Sequence, residues 1–178
     1  MTPRRFLFGA VTVVAAVLLQ SAVLTRLPLP GGAPDLLLVL VVAFALAEGP
    51  LSGTVTGFVT GLLADLGTDH ELGRSALVYT LVGYAAGLVH DAPALGGGVS
   101  GGRARSPLQP LVVVAVAAAA GVTVYAAVGF LLGDDRITLD AYTQSLVATV
   151  AYCVLLTPFV VPVIGILVRR LDFDPLRR

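Results

Sequence analysis

The chain has 178 residues, 57% of them hydrophobic and 12% charged, about half the roughly 25% charge of an ordinary soluble domain. That balance excludes a water-soluble globule and requires most of the surface to be solvated by lipid. Eleven Arg offset eleven acidic residues with no Lys, so no net field draws the chain to nucleic acid, and the single Cys153 can neither close an intramolecular disulfide nor assemble a metal cluster.

Arg4 and Arg5 precede an apolar run from Phe6 to Leu24. A secretory signal begins the same way, but its apolar core is about 7–15 residues. This run has 19 residues, near the roughly 20 that span a bilayer, so it reads as a retained first helix. The stretch Arg26 to Pro34 holds three prolines and two glycines in nine residues, which forbids continuous helix. A second segment runs from Asp35 to Ala47, is punctuated by Glu48-Gly49-Pro50, and gives way to a third from Leu51 to Ala64 that ends at Asp65. The polar stretch Thr68 to Arg74 leads to a fourth segment, Ser75 to Val89. Residues 90–107, rich in Gly, Ser and Pro and carrying Arg103 and Arg105, read as a flexible loop inside a single domain of residues 1–178. A fifth segment covers Leu111 to Leu132 and a sixth Leu146 to Val168, separated by the acidic stretch Gly133 to Asp140.

The fold class that follows is all-α, a polytopic membrane helical bundle of about six transmembrane segments. Six segments place both termini on one side. Eight of the eleven Arg (residues 4, 5, 103, 105, 169, 170, 177 and 178) then share that side, which the positive-inside rule assigns to the cytoplasm. Merging the second and third segments would move six of those Arg outside. These two segments are nonetheless short, about 20 Å long at 1.5 Å per residue against a hydrocarbon core of about 30 Å. Full spans with Glu48 at the cytoplasmic interface fit this pattern; a re-entrant hairpin with Glu48-Gly49-Pro50 at its tip keeps the same parity.

Gly53, Gly57 and Gly61 recur every fourth residue on one face of the third segment, and Gly83 and Gly87 do so on the fourth. Small residues at this spacing let backbones approach closely in membranes, either within the bundle or at a partner interface. Replacing Gly57 by Leu is expected to be disruptive and by Ala milder. Asp35 follows Pro34 at a helix start, where a carboxylate caps free amides. Asp65 is less expected, since it closes a helix whose dipole disfavours negative charge there; an ion pair with Arg26 or Arg74, or exposure to wet headgroups, would compensate it.

The sequence offers no catalytic, cofactor or metal site. Two aspartates at one end of a bundle suggest an acid and base pair for intramembrane proteolysis, but nothing near either supplies a second catalytic feature. The glycines of residues 96–102 lack the Lys of a phosphate loop, and His70-Glu71 lacks the second histidine of a helical zinc motif. His90 reads as an interfacial residue. Pro158 and Pro162 predict a kink in the sixth segment, with Thr149 and Thr157 placed to satisfy freed carbonyls.

Taken together, Leu19-Gln20-Ser21 closing the first helix, Pro34-Asp35-Leu36-Leu37-Leu38 opening the second, Gly53, Gly57 and Gly61 leading into Leu62-Leu63-Ala64-Asp65-Leu66, then Gly73 and Gly83-Tyr84, resemble the rod shape-determining protein MreD family. The resemblance covers nearly the whole length; the Gly-rich loop before the fifth segment is longer than the family pattern. It implies a non-enzymatic subunit in the bacterial inner membrane, contacting membrane lipid, binding MreC, and helping to couple MreB filaments to the peptidoglycan synthases. Members also look like the substrate-binding subunits of vitamin importers in fold, which supplies the alternative of a small-molecule importer subunit. The absence of Trp and the few polar residues within the segments weigh against that alternative.

Overall fold

Lipid cannot hydrogen-bond a peptide group, so an apolar chain in a bilayer must pair its amides internally, in helices. A computed structural model shows this arrangement and describes residues 3–26, 34–66, 73–91, 108–132 and 139–172. Among these residues lie six α-helices: α1 Pro3–Ala22, α2 Leu36–Glu48, α3 Pro50–Asp65, α4 Arg74–Asp91, α5 Gln109–Leu131 and α6 Leu139–Asp172, with a short 3-10 turn Leu24–Arg26 after α1. Three regions, Leu7–Arg26, Gln109–Leu131 and Tyr142–Val168, are long and apolar enough to cross a membrane.

The helices extend past the apolar segments. α6 begins at Leu139, ahead of the Leu146 expected, because its first turns are polar and carry Asp140, whose charge suits a helix start. Hydropathy marks the part of a helix that lipid touches, not its full hydrogen-bonded length. α4 likewise runs through His90 to Asp91, so the first two residues of the expected 90–107 loop are helical, while 92–107 lie outside the described residues. α6 continues through Pro158 and Pro162. Thr157 Oγ1 donates to the Cys153 carbonyl at 2.7 Å, its own i−4 partner, rather than to the carbonyl of Val154 that Pro158 leaves free.

α2 forms the axis of the bundle. Every residue from Leu36 to Leu46 is buried, and α2 touches all five other helices. A helix apolar all round is stable only when covered all round, and here the cover is protein. With 13 residues, α2 is about 20 Å long. Its core splits into two clusters. Leu38, Val42 and Ala45 join Val82, Val114 and Ala118 on one side, while Leu37, Leu40 and Phe44 join Val13, Ala16 and Ile164 on the other.

Gly49 makes the turn between α2 and α3. It adopts φ 92° and ψ −175°, a region essentially confined to glycine, while its amide closes α2 onto the Ala45 carbonyl at 2.9 Å. Pro50 then opens α3 at a position that needs no amide donor. His90 packs against this turn, with Nδ1 2.8 Å from the Leu46 carbonyl, one of the carbonyls a helix end leaves unpaired.

The contacts fix the helix directions. Asp35 at the start of α2 meets Tyr79 near the start of α4, and Leu46 near the end of α2 meets His90 near the end of α4, so α2 and α4 run parallel. α3 runs antiparallel between them. Gln20 at the end of α1 reaches the start of α2, Arg74 at the start of α4 reaches Tyr125 near the end of α5, and Thr123 in α5 meets Tyr142 at the start of α6. Successive helices therefore alternate in direction, and the start of α1 and the end of α6 lie at the Gly49 end of the bundle.

Candidate functional site

Two polar structures and one glycine seam hold this bundle together, and they account for the residues singled out in the sequence.

The first structure is a knot at the start of α2. Pro34 stands two residues before the helix, and Asp35 caps it by accepting the Leu38 amide on Oδ1 at 2.9 Å. The same carboxylate accepts the Tyr79 hydroxyl from α4, with Tyr79 Oη 3.0 Å from Oδ1 and 2.9 Å from Oδ2. Gln20 clips the backbone on either side of Asp35. Its Nε2 donates to the Pro34 carbonyl at 2.8 Å, and its Oε1 accepts the Leu36 amide at 3.1 Å. The Cys153 thiol of α6 points at the Asp35 carbonyl at 3.6 Å. Three residues in sequence thus bind α1, α4 and α6 to the axis helix. In surroundings of low dielectric such bonds are strengthened, and each partner left unmatched is correspondingly expensive.

The second structure surrounds Asp65. Gly73 precedes α4 with φ 101° and has no side chain with which to cap it. Asp65, at the end of α3, supplies the missing cap: its carboxylate accepts the amides of Gly73 at 2.8 Å, Ser75 at 3.2 Å and Ala76 at 3.3 Å. The residue is 2% exposed, so exposure to headgroups does not compensate its charge. The unfavourable dipole at the end of α3 is offset by the favourable one at the start of α4, whose backbone amides receive the carboxylate. Arg74 lies over the Tyr125 ring, 3.8 Å from its centroid, and donates to the Tyr125 carbonyl from Nη2 at 2.9 Å and Nε at 3.3 Å. It fastens α4 to α5. Arg26 is exposed after the end of α1.

The glycine seam joins α3 to α4. A methyl built on Gly53 would lie inside 3.0 Å of the Gly83 carbonyl, one on Gly57 inside that distance of the Tyr79 carbonyl, and one on Gly61 against the Ala76 backbone. In return, Gly83 faces the Gly53 carbonyl and Gly87 faces Pro50. Each step of four along α3 is matched by a step back along α4, so the two backbones stay in contact over the length of α3. Ala at Gly57, expected to be milder than Leu, therefore carries a cost of its own: the obstruction is the backbone of Tyr79, which no rotamer change can move aside.

The structure brings Asp35 into one knot and Asp65 and Arg74 to the start of α4, and it places all five glycines on the α3–α4 seam. Gln20, Tyr79, Tyr125 and Cys153 belong to these structures without having been singled out as site residues. Gln20 and Tyr79 were detectable in principle, as polar groups within apolar helices that need a partner.

The family model for rod shape-determining protein MreD matches residues 3–92. No curated protein matches the chain. The matched half of the sequence runs from the first turn of α1 through the end of α4 and carries Gln20, Asp35, Asp65, Tyr79 and the whole glycine seam; this chain belongs to the MreD family of rod shape-determining proteins, integral membrane proteins that act in bacterial cell shape.

Proposed function

We propose that the chain is a non-enzymatic membrane subunit of the cell-wall elongation complex, binding MreC and helping to couple MreB filaments to the peptidoglycan synthases. The observation that carries this reading is the axis helix. α2 is covered by the other helices and tied at Pro34, Asp35 and Leu36 to three of them, which makes a stiff unit suited to holding partners in fixed relation. A substrate-binding subunit of a vitamin-type importer calls for a polar and aromatic pocket at its outer face, which a chain without Trp and with few polar residues in its apolar segments is poorly furnished to build. We place residues 1–178 in a single integral membrane domain, with both termini and the 90–107 connection in the cytoplasm. The eight Arg on that side support this orientation, since the helix ends leading to them gather at the Gly49 end. The glycine seam serves the subunit's own packing, leaving partner contacts to other faces.

Purification of the tagged chain from its native membrane, followed by identification of what accompanies it, tests the proposal. MreC is expected in constant ratio to the chain. Recovery with the ATP-hydrolysing subunits of an importer, and without MreC, would overturn it.

A further inference from the structure

Tyr84 carries a hydroxyl that the bundle leaves unused. Tyr79 gives its hydroxyl to Asp35 and Tyr142 pairs with Thr123, whereas Tyr84 has no hydrogen-bond partner among the described residues and is 52% exposed. At 1.5 Å per residue it lies about 15 Å from the start of α4 and about 10 Å from its end. Helix side chains lean toward the start of their own helix, so the ring carries its hydroxyl away from the nearer end. In the six-segment topology proposed above, on which the inference rests, that hydroxyl sits in the hydrocarbon layer. An acyl chain offers it no acceptor there, water is absent, and an unmade hydrogen bond is costly. Only another protein surface supplies a partner at that depth.

The surface around Tyr84 is matched to itself. Leu77, Leu81, Tyr84 and Leu88 are 47–52% exposed and follow one another at steps of four, three and four residues. That is the a and d spacing of a parallel two-stranded coil, a geometry that membrane helices share. Two copies of one chain insert in the same sense, so a two-fold axis along the membrane normal sets α4 parallel to its counterpart and brings each residue opposite itself at equal depth. Tyr84 then meets Tyr84 of the second copy, and a phenol, both donor and acceptor, pairs with its own kind. A lipid tail satisfies the leucines but not the tyrosine. An unrelated helix would need a polar group placed at the same depth, which a second copy has by symmetry. We propose that this face of α4 is a homodimer interface, closed by a hydrogen bond between the two Tyr84 hydroxyls.

The test uses the full chain in vesicles of phosphatidylethanolamine and phosphatidylglycerol. Energy transfer between donor-labelled and acceptor-labelled copies, followed as lipid is added, gives the dissociation constant of the dimer. Tyr84→Phe keeps the ring and removes only the hydroxyl; it is expected to raise that constant about threefold, the equivalent of one interhelical hydrogen bond at about 0.6 kcal/mol. In a Cys153→Ser background, Leu81→Cys and Leu88→Cys should form disulfide-linked dimers on mild oxidation, while Val11→Cys, exposed on α1, should stay monomeric. The two α4 positions are read separately and both keep Tyr84, so a folding defect in one variant does not decide the outcome. A parent that remains monomeric at every lipid ratio, a Tyr84→Phe dimer as tight as the parent's, or α4 cysteines that cross-link no better than Val11→Cys would overturn the proposal. So would cross-linking of Leu88→Cys in native membranes to a different protein in place of a second copy. Labelling of cysteines at Ser100 and Thr138 from the two sides tests the topology by itself, so its failure is distinct from a failure of the interface.

Discussion

At the scale of single residues, the polar groups that survive in this apolar chain are those that close backbone accounts at helix ends. Asp65 accepts three amides in a buried setting, and hydrogen bonds to a charged group contribute about 1.5–3 kcal/mol each. Asp65→Asn is nearly isosteric, yet it turns an NH₂ group toward amides that need an acceptor. Thermal or denaturant unfolding in detergent should show a loss of about 2–3 kcal/mol, with no chemical step removed. Asp35→Asn should be milder, within about 1 kcal/mol, because Asn is also a good cap and retains an oxygen for Leu38. Tyr79→Phe removes the hydroxyl that Asp35 accepts and is expected to cost about 1.5–3 kcal/mol in the same measurement. Asp35 was legible as a cap because its partner lies three residues away. Asp65 was not, because the amides it serves belong to the next helix and only the turn between α3 and α4 brings them together.

At the scale of elements, the punctuation of the chain was readable and the helix lengths less so. Glu48-Gly49-Pro50 marks a turn in sequence, and the structure adds that Gly49 holds a conformation other residues rarely adopt. Gly49→Ala should therefore destabilise by about 1–3 kcal/mol, measurable as a lowered unfolding midpoint, even though the methyl would meet only the edge of the His90 ring, at 3.5 Å. The four-residue glycine spacing revealed a close-packing face but not its partner, since periodicity describes one helix at a time. The polar start of α6 escaped notice for a related reason: its hydrogen bonding continues where its apolar pattern stops.

At the scale of the whole molecule, α2 is too short to face lipid by itself and is instead wrapped by its neighbours, while α1, α5 and α6 carry the longer apolar spans. The alternation of helix directions predicts that, in a Cys153→Ser background, single cysteines at Ser100 and Thr138 are labelled by an impermeant reagent from opposite sides of the membrane. Labelling of both from outside would contradict the proposed topology. The central structural claim is that the glycine seam is interior to this subunit and not a surface awaiting a partner. Its most direct test is the unfolding of the purified chain alone, without any partner, for the parent, Gly57→Ala and Gly57→Leu. Because the Tyr79 backbone blocks even a methyl, the account predicts a loss already at Ala, on the order of 1–3 kcal/mol for overpacking, and a larger one at Leu. An isolated Gly57→Leu chain as stable as the parent would contradict it.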